Sequence, residues 1–136
     1  MIEITEKPID VQKTIDAAST KRAGAVNIFI GTIRDSANQK AVIRLEYEAY
    51  EPMAILEIEK IIAEASRRWP VVGHAVSHRT GILLPGDVAV VIAIATPHRK
   101  ESFEACQFVI DELKQKVPIW KKEVFEGGEE WISAHP

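Results

Sequence analysis

The chain has 136 residues, 46% of them apolar, a formal net charge of −3 and a single cysteine. That size and apolar content predict one domain over residues 1–136 with room for a sizeable core. The acidic balance argues against bulk nucleic-acid binding, so any anion site must be local. One cysteine excludes an internal disulfide framework and fits a reducing, cytoplasmic setting. The longest apolar run, Val88 to Thr96, is far short of the ~20 residues that span a bilayer. The opening Met-Ile-Glu-Ile-Thr-Glu has no basic region followed by an apolar one, so no secretory signal is expected.

Pro8 is predicted to sit in the first turn of a helix, where its missing N–H costs nothing. That helix carries Val11, Ile15 and Ala18 at helical spacing. The apolar run from Ala25 to Ile30 predicts a strand buried on both faces, and the polar stretch Gly31 to Lys40 a mobile loop. Ile43, Leu45, Tyr47 and Ala49 alternate with Arg44, Glu46 and Glu48, the pattern of a half-buried strand. Pro52 opens a second helix with the stripe Ile55, Ile58, Ile62, Ala65 and Trp69, and Pro70 stops it.

Val71 to Ser77 reads as a strand. Gly81 and Pro85-Gly86-Asp87 supply turn chemistry on either side of Ile82-Leu83-Leu84. Asp87 to Thr96 is the strongest strand, with an alanine-rich face that lets a helix pack close. Beyond Pro97, a third helix places Phe103, Cys106, Ile110, Leu113 and Val117 at spacings that form one apolar face. Lys114 lies on the edge of that stripe. Trp120 to Phe125 and Glu130 to Ser133 flank Glu126-Gly127-Gly128-Glu129 as a hairpin. The mixed order of elements predicts an α+β fold, a mainly antiparallel mixed sheet with helices on one face.

Cys106, on the apolar stripe, reads as an inert buried thiol. His74 and His78 lie on or beside a strand, where four residues span ~13 Å. No Cys or acidic cluster completes a site there, so no metal is expected. A phosphate loop with lysine and a Gly-x-Ser-x-Gly elbow are both missing from the sequence. The basic residues are the remaining candidates. Arg34 follows the first long strand. His98, Arg99 and Lys100 sit at a helix N-terminus, where backbone N–H groups favour anions. Lys114 ends that helix, and Lys121 and Lys122 follow Pro118. Lysines at a helix C-terminus also satisfy the helix dipole, which needs no ligand. A lysine beside a second cation, however, loses proton affinity and suits acid–base work.

From about Gly24 to Trp131 the chain resembles the large, catalytic subunit of molybdopterin synthase. The resemblance rests on the order and spacing of several pieces. They include Phe29-Ile-Gly-Thr-Ile-Arg34, Leu45-Glu-Tyr-Glu-Ala-Tyr50, Arg68-Trp-Pro70, His78-Arg79, Gly81, Pro85-Gly-Asp87, His98-Arg99 and Phe103-Glu-Ala105. Leu113-Lys114 and Pro118-x-Trp120-Lys121-Lys-Glu123 complete them. The resemblance implies an α/β hammerhead fold with a small antiparallel subdomain. It implies sulfur transfer from the C-terminal Gly-Gly thiocarboxylate of a small ubiquitin-like carrier to a cyclic pyranopterin monophosphate (precursor Z), forming the dithiolene of molybdopterin. It further implies a homodimer within a heterotetramer and no metal or organic cofactor. Lys114 and Lys121 match catalytic lysines of that family, and Arg34, His98 and Arg99 match its substrate and anion pocket. Phe29 matches an aromatic of the site region. Thr32 and Ile33 are assigned backbone contact with substrate, and Lys122 and Glu123 the lining of the pocket. Two rival readings are a non-catalytic module that binds a ubiquitin-like partner and a small anion- or RNA-binding domain.

Overall fold

The computed structural model describes residues 1–133. Two sheets and three helices make up the fold. The first sheet holds β1 (Ile2–Thr5), β5 (Gly73–Arg79), β7 (Val88–Thr96) and β2 (Ala25–Thr32) in the order β1-β5-β7-β2. β1 runs parallel to β5, while β5–β7 and β7–β2 are antiparallel. The second, antiparallel sheet orders β3 (Ser36–Ala37), β4 (Lys40–Ala49), β8 (Ile119–Phe125) and β9 (Gly128–Ser133). β6 (Gly81–Leu83) pairs along β4.

Helices α2 (Glu51–Arg68) and α3 (Arg99–Lys116) share one face of the first sheet with the main core, which includes Val76, Ile92, Ile94, Ile58, Val109 and Leu113. α1 (Val11–Ala18) takes the opposite face, where Ala18 meets the paired Ala75 and Ala93. The alanine-rich face thus takes a helix as expected, but it is α1 alone, and the helices lie on both faces of the sheet rather than one. Gly73 fits the same close approach, since a Cβ there would run into the Ala18 carbonyl oxygen. α1 begins later than Pro8 suggests. Asp10 is its N-cap and accepts the Lys13 N–H at 3.0 Å, so the side-chain cap rather than the proline sets the start.

Three further expectations are corrected. β2 lies at the end of the sheet, beyond α1, which packs on β5 and β7, so only one of its faces is covered. Val26, Ile28 and Ile30 on its other face are exposed. Residues 31–40 carry strand as well as loop. β2 continues to Thr32, and β3 pairs with β4 through a tight turn in which Asn38 and Gln39 both have positive φ. On α3 the buried positions are Ser102, Ala105, Cys106, Val109 and Leu113, while Phe103 is 61% exposed. Small side chains let α3 lie close to the sheet, which rotates Phe103 out to the rim beside β2. Among the described residues, no helix is long and apolar enough to cross a membrane.

Candidate active site

Two lysines meet because the chain turns back at Pro118, between α3 and β8. Val117 caps the helix through its N–H to the Leu113 carbonyl, and β8 begins two residues later. β8 then pairs with β4 so that Lys121 stands opposite Tyr47 and Glu123 opposite Leu45. Lys121 and Glu123, two residues apart on a strand, point the same way. The Lys121 Nζ is 3.7 Å from the Glu123 Oε1, and the Glu123 side chain is only 8% exposed. Its other oxygen, Oε2, is buried without a hydrogen-bond partner among the described residues.

Lys114 reaches this group from the last turn of α3. The residue keeps access to solvent, yet enough protein surrounds the amine to weaken its hydration. Partial burial first, and the nearby Lys121 ammonium second, hold its pKa below the ordinary lysine value. No carboxylate among the described residues lies within ion-pair distance of Lys114. The same is true of Arg34, Arg99 and Lys100. Cations without counter-ions in an acidic chain are groups available to an external anion.

Two buried side chains complete the floor. Tyr47 packs edge-on against His78, with ring centroids 5.3 Å apart. Burial, then the Glu123 carboxylate, pushes the Tyr47 phenol up to about 12. His78 is held down to about 4, chiefly by burial. A hydrogen bond to the Arg79 carbonyl opposes that shift, and the Lys114 charge adds to it. The Nδ1–O distance to Arg79 is 2.8 Å. A neutral imidazole donates through Nδ1 there, which leaves Nε2 as an acceptor. Sequence reading passed over both as site residues. Tyr47 was one apolar member of an alternating strand, and only its register opposite Lys121 reveals its place.

The remaining expected residues fall in different places. Arg34 is exposed just beyond the end of β2. Thr32 is exposed on the free face of β2. Ile33 is buried in the core. Its N–H donates to the Asp87 carbonyl and its own carbonyl accepts from Gly86, so it offers no free backbone donor to a ligand. Lys122 points to the opposite face of β8 from Lys121. There it approaches Glu46 and Glu129 at 3.7 and 3.6 Å and stacks over Trp131. Phe29 packs against the core, and burial pushes the neighbouring Cys106 thiol up to about 11, against a hydrogen bond with the Phe29 backbone. That thiol is not poised as a nucleophile.

His98 and Arg99 are exposed at the N-terminus of α3. From Arg99 to Lys114 is roughly 22 Å at ~1.5 Å per residue. The antiparallel register of β2 and β7 (Thr32 opposite Val88, Ala25 opposite Thr96) puts Arg34 at the Lys114 end and His98 at the other. Within one chain, then, Lys114, Lys121, Glu123 and Arg34 share one end of the first sheet, and His98 and Arg99 do not. A cavity of about 680 Å³ opens beside Tyr47, and its lining includes Glu6, Glu46, Glu48 and Glu51, a setting that repels anions. Among the described residues no group of three His, Cys, Asp or Glu is arranged to hold a metal ion.

Fold and site together define an α+β protein with a cationic, partly desolvated lysine pair at one end of its sheet. Residues 4–116 match the model of the MoaE protein family, and the chain belongs to that family. It is 48% identical to the molybdopterin synthase catalytic subunit of Bacillus subtilis over 130 residues, which is 96% of this chain and 83% of that protein. It is 47% identical to the molybdopterin synthase catalytic subunit of Halalkalibacterium halodurans, covering 95% and 83% of the two chains. The crystal structure of molybdopterin synthase from Staphylococcus aureus superposes with a TM-score of 0.91 at 37% identity, over 95% of this chain and 94% of that one.

Proposed function

We propose that this chain is the catalytic subunit of a molybdopterin synthase, which converts precursor Z to molybdopterin. The observation that carries the reading is the convergence of Lys114 and Lys121 in a chain of this family, with Lys114 weakened as an acid-binding amine by enclosure and by its neighbour. The substrate is anionic through its phosphate, and the thiocarboxylate of a ubiquitin-like carrier is anionic too. Bringing two anions together requires cations that offset their repulsion.

In this reading Lys121 orients the carrier's terminal thiocarboxylate. In each transfer the sulfur bonds to a substrate carbon as that carbon gives up an oxygen substituent, and water then cleaves the acyl–sulfur bond and releases the carrier as a carboxylate. Lys114 moves the protons these steps require. A second carrier repeats the transfer to complete the dithiolene. The buried Glu123 holds Lys121 in place. Arg34, His98 and Arg99 take the phosphate and pterin. The catalytic steps use no metal or organic cofactor, and the setting is cytoplasmic.

The split of the cations supports a homodimer. β2 has a free edge, and its Val26, Ile28 and Ile30 form an exposed apolar row. Two copies pairing through that edge about a two-fold axis exchange the ends of the strand. His98 and Arg99 of the second copy then come to the end that carries Arg34 and Lys114. With one carrier bound per large subunit, the assembly is a heterotetramer.

The test is conversion of precursor Z by the purified chain with a thiocarboxylated carrier, read as the fluorescent oxidised product. Product that requires both partners is expected. Carrier binding without any product would replace the synthase by a carrier-binding module.

A further inference from the structure

Arg34 belongs to a short segment that is exposed and carries no ion pair of its own, yet its flanks are fixed. The Ile33 N–H donates to the Asp87 carbonyl at 3.0 Å, and the Gly86 N–H donates to the Ile33 carbonyl at 2.8 Å. On the far side of Arg34, the Val42 N–H donates to the Asp35 carbonyl at 2.8 Å. The clamp on Ile33 is the β6–β7 turn. That turn is itself built around one carboxylate. Asp87 Oδ2 accepts the Leu84 N–H at 2.9 Å, and the Asp87 N–H returns to the Leu84 carbonyl at 2.9 Å. Gly86 adopts a φ of +92°, which lets its N–H turn toward Ile33.

The Asp87 carboxylate also lies 3.5 Å from the guanidinium of Arg79, whose side chain is 17% exposed. The Arg79 Nε donates in turn to the Glu6 carbonyl at 3.3 Å. A chain of contacts therefore runs from the β1 end through Arg79 and Asp87 to the backbone beside Arg34. The pairing of β2 with β7 shifts register between Gly31 and Thr32, so the ladder itself does not carry this alignment to Arg34.

We propose that Asp87 is a positioning residue for the anion site, holding Arg34 on the substrate through its grip on the turn that clamps Ile33. The proposal rests on the synthase reading, in which Arg34 contacts the phosphate. A guanidinium must be held in one geometry to bind a phosphate with two parallel hydrogen bonds. Loosening its backbone should therefore weaken substrate binding more than it slows chemistry.

The experiment measures kcat and KM for precursor Z at saturating thiocarboxylated carrier, using the chain in its assembled complex. Asp87→Ala should raise KM about tenfold and leave kcat within about twofold, as expected for the loss of one charge-assisted contact. Arg34→Ala should raise KM similarly, and the double variant no more than Arg34→Ala alone. Asp87→Asn keeps an acceptor for the Leu84 N–H and should recover most of the loss. Arg79→Gln, which leaves the turn's backbone intact, should shift KM in the same direction by less, and it stands in should Asp87→Ala fail to fold. A fall in kcat with KM unmoved, or a KM effect fully additive with Arg34→Ala, overturns the proposal. Wild-type complex with neither turnover nor precursor Z binding removes the synthase reading and the proposal with it. Normal wild-type turnover with an unaffected Asp87→Ala removes the proposal alone.

Discussion

The Lys121 ammonium sits near enough to Lys114 to lower its proton affinity, second only to the partial burial of the Lys114 amine. The two causes are separable. Lys121→Met removes the charge and leaves the enclosure, so the Lys114 pKa should rise while staying below that of an exposed lysine. Titration of carbon-13-labelled lysine side chains by NMR reads this directly. The general-base limb of the pH–rate profile should move to higher pH in step. An unmoved Lys114 resonance would mean that the pair does not communicate.

Adjacent lysines on β8 should behave differently because a strand turns successive side chains to opposite faces. Lys121 shares its face with Glu123, whereas Lys122 is engaged with Glu46, Glu129 and Trp131. Lys121→Ala should cut turnover about 100-fold or more, the scale of losing a preorganised charge in a partly desolvated site. Lys122→Ala should leave turnover within about threefold and cost about 1 kcal/mol or less in stability. Equal losses for the two variants would contradict the face assignment.

His78 gives the fold a defined acid sensitivity. Its imidazole is held at about 4 against 6.5 when free, mainly by burial, so the unfolded chain takes up a proton that the folded chain refuses. Stability therefore falls as pH drops from 6.5 toward 4 and levels off below it. His74, lowered by burial and by the N-terminal ammonium, acts in the same direction. His78→Leu should reduce the loss of unfolding free energy between pH 7 and pH 4.5 by roughly 2–3 kcal/mol. Urea titrations at both pH values measure it. A slope identical to that of the wild type would show that His78 protonates freely in the folded state.

Much of the fold was legible because its cues are local. The alternation from Ile43 to Ala49 and the Pro85-Gly86-Asp87 turn correspond to β4 and to the β6–β7 connection. What local pattern could not convey was which side of an element lacks a neighbour. The Ala25–Ile30 run reads alike for a central strand and for an edge strand whose second face is bare. Phe103 fits a helical stripe by spacing, yet the sheet selects the small residues Ser102, Ala105 and Cys106 instead. At the site, Lys114 and Lys121 are close in sequence and were found together. Tyr47 and His78 reach them only through pairing between distant strands, for which one sequence carries no local signal.

The separation of His98 and Arg99 from Lys114 along α3 makes the proposed shared site open to a direct test. If each site takes its lysines from one copy and its His98-Arg99 pair from the other, Lys114→Ala and His98→Ala homodimers are both impaired. Unfolding and reassembling an equal mixture forms heterodimers. In each of these, one site carries both substitutions and the other carries neither. Random assortment then restores about a quarter of the wild-type sites, the figure for two-fold pairing of two kinds of chain. Recovered activity near that level is the expected result. Mixtures no more active than the average of the two parents would mean that each site is built within a single chain. Ile28→Glu supplies an independent check, because a carboxylate in the exposed row of β2 should shift the dimer toward monomer in sedimentation and lower activity with it. A dimer unperturbed by that charge would move the interface away from the β2 edge.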